Sequence, residues 1–238
     1  MGKILAPAPS PYSQWFDLSG FATPSITVGE HAWPFADNRW GTKLAYVRKW
    51  LTAEGAYLGP SGDLNTATDF SAGTEKTFQW RLVDSLGYKP FEFGVYGGTG
   101  VFPTSDGLTD RYNGRAAYAQ LDAQNRLPGA LVIYQRGYDD HPGAGLPSAS
   151  HTAFSAEVYQ PFLNHHAMLG LRDEYTDDGL GTSSHSGNID LALLASHHVG
   201  DRVANGFIVN FESALAQNSN PGWRGQLWYV TTIGPLRH

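Results

Sequence analysis

The chain has 238 residues, no cysteine, a formal charge of −6 and a sequence pI near 5.8. The absence of cysteine excludes a disulfide framework, thiolate metal sites, thiol catalysis and haem attachment through a CxxCH motif. The acidic balance argues against a nucleic-acid partner, because phosphate binding needs a concentrated basic surface and Lys plus Arg total 16.

The opening LAPAPSPYS is Pro-rich and reads as an extended lead-in over 1–11, with one domain following over 12–238. With one Lys and a very short apolar stretch, this N-terminus does not read as a signal peptide. Beyond it the chain offers successive runs with period-2 patterning, bounded by Gly, Pro, Asn, Asp or Ser. The less regular runs are 12–22, 25–36 and 42–58. The clearest are 76–86, 91–102, 114–124, 129–140, 151–162, 167–177, 188–198, 205–216 and 223–234. These predict an all-β chain of about twelve strands. A helical reading competes at 44–54 and 188–198, where Ala and Leu are frequent.

No stretch approaches the roughly 18 consecutive apolar residues of a membrane helix. Each run is nevertheless roughly ten residues, longer than the ~5–6 of a common globular strand and matched to the ~9–11 that cross a bilayer at a tilt. The connections GYKP, NRLP, LNHH and one near GDR are short and alternate with the longer PTSDGLTDRYN, HPGAGLPSAS, DGLGTSSHSG and QNSNPG. Such alternation predicts an antiparallel up-and-down transmembrane β-barrel of 10–12 strands, short turns at one end and loops at the other.

Sorting the runs by parity separates two faces. Phe78, Trp80 and Leu82, Phe91, Phe93 and Val95, Ala117, Ala119 and Leu121, Phe154, Ala156 and Val158, Ala167, Leu169 and Leu171, Ile189, Leu191 and Leu193, and Phe207, Val209 and Phe211 share the apolar one. The other carries Gln79, Arg81, Glu92, Tyr96, Tyr118, Gln120, Asp122, Glu157, Tyr159, Arg172, Glu174, Asp190, Asn210 and Glu212. No Lys follows Lys89, whereas a face turned to bulk water would carry several. Aromatics near run ends (Trp33, Trp40, Tyr57, Tyr88, Tyr112, Tyr138 and Trp223) fit interfacial girdles.

With segments such as KPFEFGVYGGTGVF and HAMLGLRDEYTDDGLGT, the chain resembles Gram-negative outer-membrane β-barrel proteins, most closely the small porin-like ones of about twelve strands. The resemblance spans roughly residues 12 to 234. It departs from the family in lacking a clear signal peptide and in ending IGPLRH without a terminal aromatic. The resemblance implies a bacterial outer-membrane location, a lipid-bilayer environment, and either passive diffusion of small polar solutes or ions or docking of a partner protein or second copy.

The lumen and selectivity candidates are Arg81, Glu92, Tyr96, Asp122, Glu157, Arg172, Glu174, Asp190 and Glu212. Excess acid in a narrow pore favours cations. A competing arrangement fills the lumen with ion pairs, Arg81 and Arg172 clamping carboxylates. No catalytic residue, cofactor or metal site is expected. His165–His166 and His197–His198 fall in turns, and no HxH, HExxH or three-ligand spacing occurs. SSHSG at 183–187 lacks the GxSxG spacing of a nucleophile elbow, and the acid-rich YDDHPG and YTDDGLG do not match a twelve-residue calcium loop. The alternative from another class is a soluble secreted β-sandwich or jelly roll that binds or cleaves carbohydrate, with Trp223 and Trp228 as sugar platforms.

Overall fold

The computed structural model describes residues 2–5, 25–34, 38–59, 75–85, 90–123, 127–162, 167–198, 203–214 and 223–233. All regular structure among them is strand. In chain order the elements are β1 (Gly2–Leu5), β2 (Ser25–Val28), β3 (His31–Pro34), β4 (Asn38–Arg48), β5 (Leu51–Leu58), β6 (Lys76–Asp84), β7 (Phe91–Pro103), β8 (Thr109–Leu121), β9 (Gly129–Asp139), β10 (Ala149–Phe162), β11 (Ala167–Asp177), β12 (Ser183–His198), β13 (Val203–Ala214) and β14 (Trp223–Ile233). Twelve of them form one sheet in the order β1-β4-β5-β6-β7-β8-β9-β10-β11-β12-β13-β14, while β2 and β3 make a separate hairpin. From β4 onward each strand pairs antiparallel with the next in sequence, an up-and-down meander and not the Greek-key order of the jelly-roll alternative.

The structure corrects the sequence expectation in several places. The run 42–58 is two strands joined at Lys49–Trp50, and both Ala/Leu-rich stretches are extended. Gly2–Leu5, expected as lead-in, pairs with Gly41–Asn38; the expected strand at 12–22 lies outside the described residues. Thr109–Asn113 belongs to β8 and Ser183–Gly187 to β12, because Asp, Asn and Ser there continue the two-residue alternation. The connections 104–108 and 178–182 are therefore no longer than 85–90 or 122–128, whereas 59–75, 140–148 and 215–222 remain longer than 49–50, 163–166 and 199–202, so the alternation of loop lengths holds only in part. Nor is the sheet a closed barrel as described: among the described residues no ladder joins β14 to β1. Such a ladder would set an 11-residue strand against one of 4 residues, leaving most of the β14 edge unpartnered.

The two faces are those read from the sequence, one enclosed and the other leaving large apolar side chains exposed. On β9, Leu131, Ile133, Gln135, Gly137 and Asp139 are buried, while Val132, Tyr134, Arg136 and Tyr138 are exposed. Phe78, Trp80, Leu82, Phe93, Val158, Leu169 and Leu171 are likewise exposed, Phe78 at 48% and Leu171 at 53%. The inner faces of β6 to β10 instead converge on Val83, Tyr96, Ala116, Tyr118, Leu131, Ile133 and Ala153.

Glycines make this inner packing fit. Tyr118, Tyr159, Tyr112 and His151 each lie directly across the ladder from a glycine: Gly94, Gly129, Gly100 and Gly137. A Cβ at Gly129 would stand 1.9 Å from the Tyr159 ring, and one at Gly137 would stand 2.2 Å from His151. Each large ring thus occupies its neighbour's missing side chain. Gly129→Ala should destabilise the chain by about 1–3 kcal/mol through overpacking, measured by reversible denaturant unfolding; a change within about 0.5 kcal/mol, as for an ordinary surface substitution, would contradict the socket role.

Candidate functional site

The enclosed face of β5 to β11 and the hairpin laid against it form the candidate site. Toward the 85–90 and 122–128 connections, the Tyr118 hydroxyl donates to Glu92 Oε1. Glu54 lies 3.0 Å from Arg81 Nε and 3.4 Å from Lys43 Nζ. Further round, Arg172 is buried and donates to Glu174 Oε1 at 3.2 Å, with Glu157 as its cross-strand partner in register. The Tyr96 ring packs against Tyr118, centroids 6.2 Å apart, and its hydroxyl approaches Gln135 Oε1 at 3.5 Å. Ion pairs and hydrogen-bonded aromatics thus line the enclosed face.

At the opposite end the β2–β3 hairpin packs on the inner face. Its turn is Gly29–Glu30, with glycine at φ 59° where a two-residue hairpin of the II′ kind requires it. The tip is latched. Glu30 N–H donates to Pro142 O at 2.7 Å, while the Glu30 carboxylate accepts from Ser105 N–H at 2.7 Å and Ser105 Oγ at 2.6 Å. The Ser105 bonds hold the Glu30 carboxyl below its ordinary pKa. Behind the tip, Ile26 and Val28 join Tyr112 and Ala149 in one buried cluster. The Tyr112 hydroxyl hydrogen-bonds Thr77 Oγ.

His31, the first residue of β3, points into the deepest polar group of the described chain. Its ring stacks on Phe102 with centroids 4.9 Å apart and lies 4.3 Å from Tyr112. Nδ1 is 2.8 Å from Asp139 Oδ1 and 3.7 Å from Asp110 Oδ2. Asp139 Oδ2 meets His151 Nδ1 at 3.1 Å, and Asp110 Oδ1 accepts from His141 N–H at 2.8 Å. Asp110, Asp139 and His151 have no exposed surface. One imidazole and two carboxylates so placed can hold a cation or share protons.

Of the residues expected at the lumen, Arg81, Glu92, Tyr96, Glu157, Arg172 and Glu174 lie on the enclosed face, though not at one point. Asp122 does not: it follows the end of β8, is exposed, and its N–H donates to Pro90 O at 2.6 Å, because the strand ends one residue before it. Asp190 and Glu212 are register partners across β12 and β13, and their side chains lie outside the described set. Tyr112, expected in an interfacial girdle, is instead interior, since it falls on the Tyr118 parity of β8; Tyr57 and Tyr138 are exposed. The side chains of Trp33, Trp40 and Trp223, and residue Tyr88, lie outside the described set. In SSHSG, now part of β12, His185 Nε2 lies 2.7 Å from Asp173 Oδ1 on the exposed face.

Sequence reasoning missed His31, Asp110, Asp139, His151 and Glu54. A signal was present, because Asp110, Asp139 and His151 continue the inner parity of β8, β9 and β10. Comparison with protein-family models, curated proteins and solved structures finds no match to this chain.

Two outcomes follow from these contacts. Glu54→Gln should destabilise by about 1–3 kcal/mol in denaturant unfolding, since it strips a carboxylate from a largely enclosed guanidinium; no change would contradict the pairing. Asp106 caps the turn at 104–108, accepting from Thr104 Oγ at 2.7 Å and Leu108 N–H at 3.1 Å, with His141 Nε2 at 2.8 Å. These bonds, that of Thr104 foremost, lower its pKa to about 2. A folded pKa below the unfolded one gives a contribution fully present above the ordinary carboxylate range and lost as pH falls through the folded value. Amide protection at Leu108 should therefore hold at neutral pH and collapse only toward about pH 2; loss already at pH near 5 would overturn the capping role.

Proposed function

We propose that the chain is an outer-membrane-type β-barrel of the small porin-like kind, seated in a lipid bilayer by its apolar face. Its polar interior passes small ions or polar solutes when the β2–β3 hairpin leaves it. The observation that carries this reading is the open face of large apolar side chains. Phe78, Trp80, Leu82, Phe93, Val132, Tyr134, Val158, Leu169 and Leu171 are all between 38% and 53% exposed. Full burial of such a side chain stabilises by roughly 1.5–3 kcal/mol, so half-exposure forgoes about 1 kcal/mol at each. The sum, on the order of 10 kcal/mol, rivals the whole stability of a typical domain in water. Against hydrocarbon the same surface carries no such penalty.

Two further features support the reading. Toward 104–108 and 140–148 the outer face of β8 and β9 changes from Ala117 and Tyr134 to the cross-strand pair Arg115–Arg136, followed by Asn113, Tyr138 and Arg111. Arginine at the bilayer midplane costs about 2–4 kcal/mol and little at the interface, so this row marks the headgroup level. In a bilayer, edge strands must find partners. β1 runs antiparallel to β4, and the regular alternation from β4 to β14 makes β14 antiparallel to β1 as well, the sense in which those edges would pair on closure, although no ladder joins them among the described residues.

Membrane-derived protein should require detergent and migrate faster unheated than boiled; recovery from the aqueous fraction without detergent would reject the lipid-facing reading. In planar bilayers the intact chain should conduct little, Glu30→Ala should conduct several-fold more by releasing the hairpin tip, and a triple Gln replacement of Glu92, Glu157 and Glu174 should weaken cation preference. Conductance unchanged in Glu30→Ala would reject the gate.

A further inference from the structure

We propose that His31, Asp110 and Asp139 bind one divalent first-row transition-metal ion, which fastens the β2–β3 hairpin to the wall made by β8 and β9. One ligand atom from each of the three lies within 4.8 Å of the others. The separations from His31 Nδ1, 2.8 Å to Asp139 and 3.7 Å to Asp110, bracket the spacing of ligands about an ion held at roughly 2.0–2.2 Å. An independent observation points the same way: Asp110 Oδ2, on a fully buried side chain, faces this group against the Asp139 carboxyl with no N–H donor in hydrogen-bond range. A buried carboxylate oxygen without a donor is costly, and a cation between the two carboxylates removes that cost.

The donor set decides the class of ion. Imidazole with two carboxylates suits zinc, manganese or ferrous iron, whereas an all-oxygen set would be expected for calcium or magnesium. His151, from β10, hydrogen-bonds the other oxygen of Asp139 at 3.1 Å, the kind of outer contact that fixes a ligating carboxylate. The ligands come from the hairpin and from two wall strands, so the ion closes a long-range cross-link. This inference deepens the gated-barrel reading, with the metal holding the gate shut. Its test needs no bilayer, so it fails or survives independently of solute passage.

The full chain, purified in detergent, stripped with chelator and dialysed, is titrated with Zn²⁺ and separately with Mn²⁺ by calorimetry, with elemental analysis of the retained metal. One equivalent should bind, and amide exchange across 25–34 should slow at least tenfold. Asp110→Asn and His31→Gln should each weaken binding at least tenfold and abolish that protection. A variant with His165 and His166 both replaced by Ala should bind as the parent does. If Asp110→Asn fails to fold, His31→Gln, which alters only the hairpin, carries the same comparison. Absence of saturable binding, as a proton shared between the two carboxylates predicts, would overturn the site. So would equal binding by the parent and His31→Gln.

Discussion

The structure depends on one constraint: the two-residue period gives the central strands an enclosed face, where charged groups must be paired, and an open face that carries large apolar side chains. Alternation of this kind is ordinary in strands, but here the enclosed face holds ion pairs beside its apolar cluster, and the open face is also rich in apolar side chains. Glu54, Arg81, Glu92 and Arg172 are taken inward, where each needs a partner, and the hydrogen bonds and ion pairs among them provide it. Leu82, Phe93 and Leu171 are turned outward, where packing within the chain gives them little.

Enclosing polar groups is expensive unless each is hydrogen-bonded or paired, and the glycine sockets help bring the partners together. Tyr118 over Gly94 and Tyr159 over Gly129 place rings against neighbouring backbone, which leaves hydroxyls free to bond Glu92 and the Ala123 N–H. The same device seats His151 over Gly137, and that fixes the imidazole beside Asp139. The hairpin covers this polar end from one side. Its apolar residues Ile26 and Val28 meet Tyr112 and Ala149, and Glu30 ties its tip to the 104–108 and 140–148 connections.

Much of this was legible from the residues alone. Parity placed Arg81, Glu92, Tyr96, Glu157, Arg172 and Glu174 on one face, because a strict two-residue period leaves a side chain only two choices. Strand ends were less legible. Asp110, Asn113 and Ser184 have turn chemistry, yet they continue strands whose ladders supply backbone partners beyond what local preference predicts. The His31–Asp110–Asp139 group could not be read from spacing, since its members are brought together by a hairpin folding over a sheet across 108 residues of sequence. Parity gave the direction in which Asp110 and Asp139 point, but not what they meet.

Because the chain has no cysteine, the medium on each side of the sheet can be read with single introduced labels. Single cysteines at Val132, Ile133, Tyr134 and Gln135 of β9, spin-labelled in lipid vesicles, report accessibility to oxygen, which concentrates in hydrocarbon, and to a polar nickel chelate. The account predicts high oxygen and low nickel accessibility at 132 and 134, with both low at 133 and 135. High nickel accessibility at 132 and 134 would show that the apolar face meets water, and would contradict the account.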